Sequence, residues 1–158
     1  MNLLQKLKLI NIAKVYYNTT MQTDYMVIGR TRNADNIQRL VDGIKSKGYS
    51  CYNFLNIPAT PKIPDLPWEE QMKIAESELD FWNSAHYQET FNQDMAGLQN
   101  ADTVILLLPA GLAAHMEARV AFGFNKKLIL IGEVEKPETL YLMFKERYKD
   151  IESFLALI

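Results

Sequence analysis

Four apolar residues, Tyr25 to Ile28, run into Gly29, and the polar turn Arg30 to Asn33 follows. A short continuous apolar run closed by glycine predicts a buried strand. Beyond the turn, Ile37, Leu40, Val41 and Ile44 recur at helical spacing, so a helix is expected there, with Asn33 or Asp35 as its cap and Gly48 as its end. Ser50 to Ile57 then reads as a second strand. A strand, a helix and a strand in succession imply parallel pairing through a right-handed crossover.

Pro58, Pro61, Pro64 and Pro67 punctuate the following stretch, which reads as a loop. Trp68, Met72, Ala75 and Leu79 share one face of an expected helix over 68–79. After a mixed polar and aromatic stretch, Phe91 to Gln99 is expected to be helical again. Thr103 to Leu108 is continuously apolar, as suits a central parallel strand covered on both faces. Pro109 and Gly111 break it. Ala113 to Phe124 reads as a helix with Met116, Val120 and Phe124 inward, Lys127 to Ile131 as a strand, and Thr139–Tyr148 and Ile151–Leu157 as C-terminal helices. The alternation predicts an α/β fold: an open, mostly parallel sheet flanked by helices in three layers.

Length and composition narrow this further. The 158 residues fit one domain, assigned to 23–158, with 1–22 as an N-terminal extension or helix in which Leu3, Leu7 and Ile10 share a face. The lysines between them argue against a signal peptide, and Met21 is an alternative start. A formal charge of -2 speaks against nucleic acid as a partner. No apolar run reaches membrane-spanning length, so no membrane partner is expected. The single cysteine, Cys51, and the two distant histidines, His86 and His115, offer no disulfide and no metal-ligand spacing. A cytoplasmic protein without metal or cofactor is the expectation.

In open α/β sheets ligands bind outside the carboxyl ends of the strands. Two segments fall there. Gly29-Arg30-Thr31-Arg32-Asn33 sets two arginines before a helix N-terminus, either as an anion site or as a solvated turn. In the second, Pro109 and Gly111 lead into a helix that carries His115 and Glu117. The helix N-terminus is expected to favour an ionised Glu117, able to attack or stabilise a cationic sugar carbon. The alternative is a glutamate that only serves the helix dipole. His115 is a hydrogen-bond donor or a structural residue, and Asp94 a candidate acid. Asp102 reads as a turn residue. Trp68, Phe81, Trp82 and Tyr87 are either core or a stacking surface for a base.

The run Phe91-Asn92-Gln93-Asp94-Met95-Ala96-Gly97-Leu98, then Ala101-Asp102, the strand, Pro109, Gly111, His115 and Glu117, resembles the nucleoside 2-deoxyribosyltransferase-like superfamily, above all its small bacterial members. The resemblance covers roughly Tyr25 to Ile131. It implies a flavodoxin-like or Rossmann-like sheet and cleavage of the N-glycosidic bond of a deoxynucleoside or its 5′-monophosphate. Glu117 matches the family's nucleophile, and Gly29 with Arg32 resembles the Gly-x-x-Arg segment of members that act on monophosphates. A homo-oligomer is implied as well. Arg119 stands where the family usually has glycine, and Met26 and Arg30 stand in its tyrosine and proline places. These departures favour hydrolysis, or nucleotide binding and sensing without turnover, over transfer.

Overall fold

The computed structural model describes residues 21–57 and 66–158. The N-terminal helix expected over the first residues and most of the proline-rich loop lie outside this range. Among the described residues the elements run β1 (Thr23–Ile28), α1 (Ala34–Ser46), β2 (Cys51–Asn53), α2 (Trp68–Glu76), α3 (Ala85–Asn100), β3 (Ala101–Leu107), α4 (Leu112–Gly123), β4 (Lys127–Ile131), β5 (Glu146–Tyr148) and α5 (Ile151–Leu155). The strands form one sheet in the order β2-β1-β3-β4-β5, every neighbouring pair parallel. This is the three-layer α/β architecture that the alternation predicts.

Period-two alternation along the central strands builds two cores. Met26, Ile28, Val104, Leu106, Leu128 and Leu130 face one side and pack with Leu98 of α3 and Ala114, Ala118 and Ala121 of α4. Val27, Ile105, Leu107, Ile129 and Ile131 face the other and meet Ile37, Leu40, Val41 and Ile44 of α1 and Phe154 of α5. Each such fully buried aliphatic side chain stabilises the fold by roughly 1.5–3 kcal/mol relative to exposure.

Several elements differ from the sequence reading. Strand β2 stops at Asn53, whose side-chain oxygen accepts from the Leu55 amide at 3.1 Å and turns the chain into a 3-10 turn. Helix α1 begins without a side-chain cap, because Asn33 accepts instead from the Asn36 side-chain amide at 2.8 Å. Helix α2 ends at Glu76, leaving Leu79 100% exposed rather than inward. Helix α3 starts at Ala85 and takes in the mixed stretch before Phe91. Asp102 lies within β3, not in a turn.

The inner face of α4 is also not the one expected. Ala114, Ala118 and Ala121 are buried, while Met116 and Phe124 are exposed; Val120 alone of the expected trio packs against the core. The small residues let the helix approach the sheet closely, so the larger apolar ones are turned out. Thr139–Tyr148 is not a helix: Thr139–Met143 is a 3-10 turn, and Glu146–Tyr148 pairs with β4 as an edge strand. Phe144, fully buried, anchors the turn, and a Lys127–Glu146 ion pair at 2.7 Å ties the edge to its neighbour. Charges on an edge strand discourage further pairing.

Candidate active site

From β1 the chain crosses to β2 on one side of the sheet, and from β3 to β4 on the other. The connections therefore diverge between β1 and β3. In open parallel sheets such a switch point leaves a crevice at the carboxyl ends of the strands. A cavity of about 500 Å³ occupies that place. Its floor is Gly29 and Thr31 after β1, and Ala113 and Glu117 from α4. A side chain at Gly29 would meet Ile37 at 3.0 Å and the Leu107 carbonyl at 3.4 Å, so glycine permits the close exit of β1.

Two carboxyl groups converge on this cavity from different helices, Glu117 from α4 and Asp94 from α3. Glu117 lies beyond the first turn of its helix, where the helix dipole has largely faded. Burial dominates instead, and with the nearby Asp94 charge it pushes the Glu117 carboxyl up to about 8. Burial thus opposes the ionised Glu117 that the helix N-terminus was expected to favour. Burial also pushes Asp94 up to about 6, against a hydrogen bond that the Tyr52 hydroxyl donates to its Oδ1 at 3.1 Å. Tyr52 is itself pushed up by burial and by both carboxylates, so it remains the proton donor. It is wedged against α3 at Gly97, where any side chain would come within 3.1 Å of its ring. Both shifts run upward, and Glu117 holds its proton to higher pH than Asp94 does.

Aromatic side chains form the outer wall. Phe81 and Tyr87 stack on each other with ring centroids 4.7 Å apart, and Trp68 and Phe54 line the same cavity. Trp82 packs edge-on against Phe81 but is mostly exposed and lines no part of it. Among the described lining residues the ionisable groups are Glu76, Glu78, His86, Tyr87, Asp94 and Glu117; none is lysine or arginine.

Of the residues singled out from sequence, Gly29, Asp94 and Glu117 come together here, with Trp68, Phe81 and Tyr87 on the wall. Arg30 and Arg32 do not line the cavity. Arg30 is exposed, and Arg32 donates to Glu69 at 3.1 Å and to Glu76 at 2.9 Å. Gly111 and His115 also lie elsewhere. The His115 ring joins the Gly111 carbonyl at 2.8 Å to the Tyr141 hydroxyl at 2.9 Å, in a separate small recess that Arg119 shares. Arg119 thus stands on a different face of α4 from Glu117. Tyr52 and Glu76 escaped the sequence reading, because their partners lie 42 and 44 positions away.

The sequence matches no family model and no curated protein. Among solved structures, one similar chain is the CMP N-glycosidase BcmB of Clostridium botulinum, at 15% identity and a TM-score of 0.47, over 84% of this chain and 96% of that one.

Proposed function

We propose that the protein cleaves the N-glycosidic bond of a deoxynucleoside or its 5′-monophosphate, with Glu117 as nucleophile and Asp94 as acid. The observation that carries this reading is the pair of partly buried carboxyls, Glu117 and Asp94, that line one cavity at the switch point of the sheet, both raised by burial above their ordinary range. Glycosidic cleavage needs those two roles, one carboxyl protonated and the other not. The aromatic wall suits a flat base, and the carboxyl pair suits the sugar carbon that becomes cationic.

The proton that rests mainly on Glu117 passes to Asp94 when substrate binds. Glu117 then attacks C1′ as a carboxylate. The C1′–N bond breaks with its electron pair going to the base, and Asp94 gives its proton to that base. A glycosyl ester of Glu117 results. Water attacks C1′ of the ester, Asp94 takes the water's proton, and the Glu117 carboxylate is released. Tyr52 keeps Asp94 oriented and opposes the rise that burial imposes on its carboxyl. The non-catalytic alternative, a nucleotide sensor using Arg30 and Arg32 for phosphate, has less support, since Arg32 is engaged by two carboxylates. Base release from a panel of deoxynucleosides and their monophosphates, lost in Glu117→Ala, tests the proposal; binding without release from any of them would select the sensor.

A further inference from the structure

The crevice has an electrostatic asymmetry that bears on its substrate. A 5′-phosphate on a bound nucleotide carries about -1.5 to -2 charges at neutral pH and calls for arginine, lysine or free backbone amides. The turn after β1, where Gly29 and Thr31 line the cavity, contributes no arginine to it. Arg32 lines the adjoining groove with Asn33, Trp68 and Glu69. It is 28% exposed and bonds Glu69 and Glu76, and of those three side chains only Glu76 also lines the cavity. The hydrogen bond from Arg32 lowers the Glu76 carboxyl, with a smaller contribution from the exposed Arg30, so Glu76 stays ionised at neutral pH. Among the described residues, an anion entering beside Gly29 therefore meets the half-exposed Glu76 carboxylate, with Arg32 already paired.

We propose that the cavity selects N-glycosides with a free 5′-hydroxyl over 5′-monophosphates, and that Glu76, held by Arg32, is the residue that sets this preference. The inference rests on the glycosidic reading above and chooses between the two substrate classes which that reading leaves open. Repulsion of a like charge is a familiar route to specificity, acting by penalising the wrong ligand. It acts on binding of the phosphate, so it appears in KM more than in kcat.

The test uses the full chain and one deoxynucleoside with its own 5′-monophosphate, followed by base release and by calorimetric titration. The expected kcat/KM ratio favours the deoxynucleoside by at least about tenfold, and Glu76→Gln narrows it by lowering KM for the monophosphate. Glu69→Gln, which loosens Arg32 but removes no carboxylate from the cavity wall, leaves the ratio in place. Equal or better turnover of the monophosphate by the wild type would overturn the preference while leaving glycosidic chemistry intact. An unchanged ratio in Glu76→Gln would overturn the role of that residue. Release from neither compound leaves the glycosidic reading to the wider panel and the preference to the titration: tighter binding of the deoxynucleoside supports the preference, and equal, reversed or absent binding overturns it. The wild-type ratio is a test on its own, so a variant that folds poorly does not shield the proposal.

Discussion

Replacing Glu117 with glutamine should make the protein more resistant to alkaline unfolding while removing its proposed nucleophile. Burial and the Asp94 charge raise the Glu117 carboxyl from an ordinary 4.5 to about 8. The folded state therefore binds a proton more tightly than the unfolded chain does. The stability linked to that proton is fully present below about pH 4.5, falls as pH rises, and is gone above about pH 8. At about 1.4 kcal/mol per pH unit the whole span corresponds to about 4–5 kcal/mol, a large share of the 5–15 kcal/mol that holds a typical domain. Glutamine is nearly isosteric and does not titrate, so the variant escapes this loss. Urea unfolding of both proteins from pH 5 to pH 9 is the assay. The stability difference, variant minus wild type, should grow by about 4 kcal/mol across that range. Parallel stability profiles, with the difference changing by less than about 1 kcal/mol, would refute a strongly raised Glu117.

The same pair predicts a bell-shaped dependence of kcat/KM on pH, with limbs near 6 and 8. Tyr52→Phe removes the hydrogen bond that holds Asp94 down, so the acidic limb should move to higher pH; a profile identical to wild type would deny Tyr52 that role. On α4, Ala118→Leu should cost about 1–3 kcal/mol by overpacking the face against the sheet, whereas Met116→Lys should change stability by about 0.5 kcal/mol or less. Thermal or urea unfolding of the two variants checks this, and the reverse order would place the wrong face of the helix inward.

The parts of the fold that local pattern dictates are legible in the amino-acid sequence alone. Val27, Ile105 and Ile129 sit in strands whose apolar runs are continuous, and α1 carries its buried residues at unbroken helical spacing. The rule that ligands gather at the carboxyl ends of parallel strands points to the segments of Gly29 and Glu117, and the cavity is lined by both. What is not legible depends on tertiary context. β5 is short and rich in charge, and only its place beside β4 makes it a strand. Helix α4 offers two apolar faces, and nothing along the chain says that the alanines, not Met116, meet the sheet. Arg32 reads as an anion ligand until Glu69 and Glu76 are brought to it from α2. The upward shift of Glu117 is hidden for the same reason. Its helix is visible in the sequence, but the burial and the second carboxyl that outweigh the helix dipole are not.

The chemistry proposed for the cavity depends on Glu117 and Asp94 forming a working nucleophile and acid pair. Chromatography of a panel of deoxynucleosides and their 5′-monophosphates, incubated with the wild type and with Glu117→Ala, tests this most directly. Free base is expected from at least one compound with the wild type, and none above background with the variant. Base release that persists undiminished in Glu117→Ala would contradict the pairing.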